Sequence, residues 1–189
     1  MKSPFLQRKE SILSKKDKSS KGDWDEKIAK FCNEINSSEN YYTTSSCSGR
    51  IIIMIDSDKK QSNLFLEVYH NKIKLNELKN SLDKIVVKNK KLIKFKFEPF
   101  ILHVACKTLD DAKEFLKKVQ KAGCKKAGII SLEKNIIVEL NGSEKTEFLI
   151  IENQKILVND RFLELIVKRC NRNLEKSWDR IEKLRKSIK

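Results

Sequence analysis

Glycine is scarce in this chain, five in 189 residues, and no Gly-x-Gly-x-x-Gly follows a strand pattern. A Rossmann-type dinucleotide turn needs those glycines for close approach to a pyrophosphate, so that site class has no support. A P-loop is missing as well. The five cysteines, at 32, 47, 106, 124 and 170, are odd in number, and no two stand in Cys-x-x-Cys spacing. Zinc sites of the usual spacing therefore have no support, and no metal is expected. Cys32 and Cys170 fall within helical apolar patterns and read as core thiols, which points to a reducing compartment. No stretch approaches the roughly 20 apolar residues of a membrane span. The opening MKSPFLQRKES carries no apolar run of the kind a signal peptide needs. The expectation is a soluble, cytoplasmic protein without a membrane partner.

Charge is abundant and unbalanced. Lys and Arg total 41 against 26 acids, a formal net charge of +15. Such a field concentrates anions, and nucleic acid is the commonest anionic partner because phosphate contacts release counterions. A lysine-rich but merely solvated surface is the plainer alternative. The length and a hydrophobic fraction of 39% suit one domain over residues 1–189 with one sizeable core. Basic residues gather in Lys2 to Lys21, Lys84 to Lys96 and Lys168 to Lys189, giving a basic N-terminal helix and a long basic C-terminal helix. On a helix the last set spreads over a broad surface, with acids intermixed.

Hydrophobic spacing organises the rest. Phe5/Leu6 and Ile12/Leu13 mark a short first helix. Asp23 with Glu26 resembles a capping box for a second helix carrying Trp24, Ile28, Phe31, Cys32 and Ile35, ending near Asn36–Ser38. The β-branched and aromatic runs YYTT, 51–55 and 64–70 read as strands, with Ser45 to Arg50 as a small-residue loop between the first two. Leu75, Leu78, Leu82 and Ile85 mark a third helix. A long strand pattern runs from Ile93 to Cys106, with a bulge or edge expected at Pro99 because proline lacks a ladder donor. Thr108 caps a fourth helix with Leu109, Ala112, Phe115, Leu116 and Val119 inward, and Gly123 ends it. Strands follow at 128–132, 136–140 and 148–151, with Asn141-Gly142 as a tight hairpin-type turn. Asn159 caps a last helix, with a break near Asn171–Asn173. Helices and strands intermix without βαβ regularity, so the fold class read is α+β: a mixed sheet covered by helices, non-Rossmann.

Four constellations can carry chemistry. In Thr43 to Arg50, hydroxyls, a thiol, a glycine and a cation share eight residues. Such a segment can present N–H and O–H donors to an anion, and Arg50 can clamp a carboxylate or phosphate; a turn whose Ser and Thr satisfy their own backbone is the plainer reading. Cys47 as a nucleophile lacks a partner base nearby in sequence. In Phe97 to His103, Glu98 and His103 are polar positions in an apolar strand, read either as partnered site groups or as the solvent side of simple alternation. Tyr69 and His70 can stack on a base or form a surface pair. Asn171 and Asn173 interrupt an apolar helical face, where capping a break is the plainer role.

The string Tyr41-Tyr42-Thr43-Thr44-Ser45-Ser46-Cys47-Ser48-Gly49-Arg50-Ile51 resembles the signature of the tRNA wybutosine-synthesizing protein 3 family. Further family-like pieces follow in order across nearly the whole chain. They are Gly22-Asp23 with Asp25, Glu34-Ile35-Asn36, His70, Phe97-Glu98-Pro99-Phe100-Ile101-Leu102-His103-Val104, Ala112, Gly123, Gly128, Asn171 and Asn173. Two departures stand out: Val68-Tyr69 precedes His70 where the family often has Lys-Trp, and Trp24 replaces a smaller apolar residue. The resemblance implies an S-adenosylmethionine-dependent methyltransferase acting on N4 of the wyosine-type tricyclic base at position 37 of phenylalanine tRNA, in the anticodon loop.

With that implied activity, His103 and Glu98 become candidate proton acceptors. Ser45, Ser46, Ser48, Gly49 and Arg50 become candidates for holding the cofactor's carboxylate or a tRNA phosphate. His70, Tyr69, Asn171, Arg172 and Asn173 become candidates for the tRNA side. The rival readings are a noncatalytic RNA-binding module and, more weakly, a Cys47 thiol enzyme. Oligomeric state has no signature in the sequence.

Overall fold

A computed structural model describes residues 3–14, 25–59, 61, 63–133 and 135–188. Asp23 as a cap, Gly22 and Trp24 lie outside the described residues. Among the described residues there are five helices: α1 (Pro4–Leu13), α2 (Glu26–Asn36), α3 (Leu75–Lys88), α4 (Leu109–Lys121) and α5 (Asp160–Ser187). Seven strands accompany them: β1 (Tyr41–Ile55), β2 (Phe65–Tyr69), β3 (Ile93–Cys106), β4 (Gly128–Ser131), β5 (Ile136–Asn141), β6 (Thr146–Glu152) and β7 (Lys155–Ile156). The strand order is β2-β1-β3-β5-β4, with β6 on β3 and β7 on β6. The α+β class is as read from the sequence. Within it the pairs β1–β2, β3–β5, β3–β6, β4–β5 and β6–β7 are antiparallel rather than mixed, since none of these neighbours is joined by a parallel crossover.

The chain falls into two compact units. One comprises residues 1–48, 100–143 and 177–189, the other 49–99 and 144–176. In the first, the buried faces of α2 (Ile28, Phe31, Cys32, Ile35), β3 (Phe100, Leu102, Val104) and α4 (Ala112, Phe115, Val119) form one cluster with Val138, Leu140, Ile181 and Leu184. Each Val, Leu, Ile or Phe among them contributes about 1.5–3 kcal/mol on leaving water. In the second, Ile51–Ile53, Phe95, Phe97, Ile150 and Ile151 are buried, as are Leu78 and Leu82 of α3 and Leu163, Cys170 and Leu174 of α5.

Caps and turns set the boundaries. Asp25 is the N-cap of α2, its carbonyl accepting from Ile28 and Ala29. Thr108 caps α4 through the Asp111 N–H, and Gly123, at φ +97°, closes that helix with its N–H on the Gln120 carbonyl. Leu109 at the start of α4 is exposed rather than inward.

Three expectations are overturned. The Ser45–Arg50 segment is not a loop: β1 is continuous through it, with Gly49 at φ 115° taking the irregularity a side chain would resist. Asn141-Gly142 makes no hairpin, because β5 and β6 each pair with β3 and the Gly142 N–H goes to the Phe100 carbonyl. The two-residue hairpin lies instead at Asn153-Gln154, both at positive φ, joining β6 to β7. Finally, α5 runs unbroken past Asn171–Asn173.

Pro99 proves to be a change of partner. Through Phe97, β3 pairs with β6; from Ile101 it pairs with β5. Proline, lacking an N–H, falls between the two ladders, where neither asks it for a donor.

Candidate functional site

Arg50, on β1, is committed to Glu98 on β3. Its Nε donates to Oε2 at 2.8 Å and its Nη2 lies 2.7 Å from the same oxygen, while the guanidinium sits 5.2 Å from the centre of the Phe65 ring. Lys96 Nζ reaches the other carboxylate oxygen at 2.8 Å. Burial works against the ionised form of Glu98. The Lys96 hydrogen bond and then the Arg50 charge outweigh it, and the carboxyl is held below its ordinary value. Such a carboxylate is a weak proton acceptor, and its guanidinium partner is already neutralised. Both observations argue against the roles the sequence offered for Glu98 and Arg50.

Ser48 is also used by the fold. It is fully buried, its N–H donates to Asp25 Oδ2 at 3.2 Å, and its hydroxyl donates to the same carboxylate. Trp178 Nε1 donates to Ser48 Oγ at 3.3 Å. One serine thus ties the N-cap of α2, β1 and α5 within the first unit. Ser45 is exposed and Ser46 half-buried on the same strand, while Gly49 is buried.

His103 lies on the face of β3 opposite the core. Phe100, Leu102 and Val104 point into the apolar cluster, so alternation turns Ile101 and His103 outward. Directly across on β5 stands Glu139, and His103 Nε2 lies 2.9 Å from Glu139 Oε2. The two side chains are 26% and 28% exposed, enough to be reached and little enough to be held. Gly128 of β4, paired with Glu139, leaves this face low.

The residues proposed for the RNA side divide. Tyr69, on β2, donates its hydroxyl to Ser81 Oγ at 2.6 Å, and burial pushes its phenol up. His70 follows at the strand end, half-buried. Asn171 donates to the Ile73 carbonyl at 2.9 Å and accepts from the Ile73 N–H at 3.0 Å, which pins the chain entering α3. Asn173 is buried. Both asparagines serve the interior, whereas Arg172 between them is exposed.

Apart from these, the first unit holds a cavity of about 560 Å³ with Phe31, Tyr41 and Phe115 in its walls and Lys118 and Arg185 at its edge. Its volume is in the range of small-ligand sites. Arg185 is occupied by Glu34, at 2.7 Å, and by Glu182, at 3.0 Å. Burial, then the carboxylates of Glu114 and Asp111, push the Tyr41 phenol up to about 12, so it stays neutral. None of the candidate catalytic, cofactor or tRNA residues lines this cavity, though Glu34, Ile35 and Tyr41 of the family-like strings do.

The family model described as "Methyltransferase TYW3" matches residues 7–189. The chain belongs to the TYW3 methyltransferase family. It is 35% identical over 186 residues to a Thermococcus sibiricus protein named tRNA(Phe) 7-((3-amino-3-carboxypropyl)-4-demethylwyosine(37)-N(4))-methyltransferase, covering 97% of this chain and 93% of that one. It is also 35% identical over 185 residues to the Danio rerio tRNA wybutosine-synthesizing protein 3 homolog, covering 95% of this chain and 72% of the relative. The solved PH1069 protein of Pyrococcus horikoshii matches with a TM-score of 0.85 at 33% identity, covering 97% of this chain and 93% of that chain.

Membership in the TYW3 family implies a methyl donor. Of the residues the sequence offered for it, Ser45 is exposed and Ser46 half-buried, while Ser48 and Arg50 are engaged within the protein. Glu139 escaped the sequence reading. Its signal was the lone acid in the apolar run Ile136–Leu140, but the partner across the strand needs the register. Asp25 and Trp178 were missed as partners of Ser48 for the same reason: their contacts lie 23 and 130 residues apart in sequence.

Proposed function

We propose that this protein transfers a methyl group from S-adenosylmethionine to N4 of the wyosine-type tricyclic base at position 37 of phenylalanine tRNA. The observation that carries this reading is the family match over 7–189, joined to relatives whose names state that reaction. The charge of +15 suits a tRNA partner. No helix among the described residues is long and apolar enough to cross a membrane, which accords with work on tRNA in the cytoplasm. We read residues 1–189 as one methyltransferase domain.

S-adenosylmethionine supplies an already activated sulfonium methyl, so the protein's task is positioning and removal of a proton. Ser45 and Ser46 are the hydroxyls we assign to the donor's polar end. His103 is the group we assign as proton acceptor, because its partner carboxylate leaves one ring nitrogen for the substrate, whereas Glu98 is held ionised by two cations. His70, Tyr69 and Arg172 are assigned to the tRNA. The base lies in an anticodon loop, where it is presented without opening a duplex.

The test is methyl transfer to phenylalanine tRNA carrying the unmethylated tricyclic base, followed by mass spectrometry of the nucleosides. The expected product gains one methyl group on that base. Calorimetry should show the methyl donor binding with micromolar affinity, about 8 kcal/mol. No product and no heat at millimolar donor would end the proposal.

A further inference from the structure

The His103–Glu139 pair has a definite chemical polarity. A carboxylate oxygen at 2.9 Å from Nε2 accepts a hydrogen bond, so the proton of a neutral imidazole belongs on Nε2. The lone pair then sits on Nδ1. We infer that Glu139 is a positioning residue for methyl transfer: it fixes His103 in the Nε2–H form and holds the ring so that Nδ1 receives the proton leaving the substrate nitrogen. This rests on the methyl-transfer reading above.

The geometry supports more than a chance surface pair. Both residues sit in the interior of paired strands, in register, with Leu102↔Leu140 and Val104↔Val138 buried on either side. The paired strands fix both Cα positions directly opposite one another. By register the β3, β5 and β4 neighbours on this face are Ile101 and Ala105, Ile137 and Asn141, and Gly128 and Ser131. None of them is titratable, and among the described residues Glu139 is the charged group in contact with the ring. The apolar flanks lower the local polarity and strengthen the pair.

The proton balance is simple. As the substrate nitrogen gains the methyl, its N–H bond breaks and the proton passes to Nδ1, while the electron pair of the broken S–C bond stays on sulfur. The imidazolium formed carries its charge toward Glu139, which stabilises it. A carboxylate that orients and compensates a histidine without itself taking the proton is a recognised division of labour.

The chain has two histidines, so its imidazole NMR signals are few and the His70→Gln variant assigns them. In the unmodified protein the ¹⁵N shifts of His103 should report the Nε2–H tautomer. In Glu139→Ala they should move to a mixture of tautomers, with the thermal unfolding midpoint showing that the protein is folded. Single-turnover methyl transfer should fall about 10–100-fold in the rate constant, less than the roughly 10²–10⁴-fold for His103→Gln. Affinity for tRNA should not change. Glu139→Asp, if its shorter arm still reaches Nε2, should recover part of both the tautomer and the rate; Glu139→Gln keeps the shape and tests the charge alone. Unchanged His103 shifts in Glu139→Ala, or an unchanged rate while His103→Gln is slow, would overturn the positioning role. A normal rate in His103→Gln would remove His103 as the proton acceptor while leaving the methyltransferase reading intact.

Discussion

Arg50 and Glu98 meet through a single carboxylate oxygen, with the guanidinium 2.7 to 2.8 Å away and Lys96 holding the other oxygen. Both acidic and basic side chains of the central pair are 29% exposed, so the network is neither dry nor freely solvated. Glu98→Gln leaves Arg50 and Lys96 close together without their anion. The expected cost is about 1–2 kcal/mol at pH 7, after allowing for solvent screening. The folded-state value of Glu98 lies below the ordinary 4.5, so its contribution is full above that value and is lost as pH falls through the folded-state value. Urea unfolding should therefore separate the variant from the parent at pH 7, and the gap should narrow as pH falls below the ordinary carboxylate value. A gap that persists in acid would mean the pair acts through packing rather than charge.

Asn171 and Arg172 are neighbours in sequence with opposite expected behaviour. Asn171→Ala strips the Ile73 N–H and C=O of their partner. It should cost about 1–3 kcal/mol in urea unfolding and change tRNA affinity little at temperatures where the protein is folded. Arg172→Ala should leave stability unchanged and reduce the slope of log K against log salt by about one, if the side chain meets a phosphate. A flat salt dependence in the parent protein would make the positive charge incidental to RNA binding.

Gly123 and Gly128 separate backbone strain from space. A methyl group at either position would meet nothing within 4 Å, but Gly123 has φ +97° and Gly128 has no positive φ to protect. Gly123→Ala should cost about 1–2 kcal/mol through the left-handed conformation alone. Gly128→Ala should lie close to neutral in stability. Thermal unfolding of the two variants side by side settles the comparison; equal midpoints would show that the end of α4 relaxes without penalty.

The legible parts of this fold were those carried by local chemistry. Thr108, Gly123 and Asn159 each announce a helix boundary by their own side chain or lack of one, and all three stand where expected. What escaped depended on distant partners. Ser45–Arg50 has the composition of a loop, yet it lies within the continuous strand β1, whose sheet neighbours come from distant parts of the sequence. Asn153-Gln154 lacks the glycine that usually marks a tight hairpin, so its positive φ values are imposed by the pairing of β6 with β7. Asn171 looked like a helix break because an asparagine within an apolar face is costly unless a backbone partner arrives, and Ile73 arrives from 98 residues away. The candidate site follows the same division: His103 was visible as a polar interruption, whereas Glu139 became its partner only through strand register.

Ser48 offers the sharpest contrast between a residue that holds a ligand and one that holds the fold. Its hydroxyl donates to Asp25 and accepts from the Trp178 indole, in a position with no exposure to solvent. Ser48→Ala leaves the Asp25 carboxylate without one donor and the indole N–H without its acceptor, while the Ser48 N–H still reaches Asp25. The cost should be about 1–3 kcal/mol, the range for a polar group left unpaired in a protected place. Trp178 also loses a hydrogen bond, so its fluorescence should shift on mutation; placing the Ser48 change in a Trp24→Phe background isolates that signal, since the chain has two tryptophans. Affinity for the methyl donor, measured by calorimetry well below the unfolding midpoint, should stay within about twofold of the parent, a difference under roughly 0.4 kcal/mol. The opposite pattern, intact stability with a large loss of donor affinity, would return Ser48 to the cofactor and would require its hydroxyl to leave Asp25 when the donor binds.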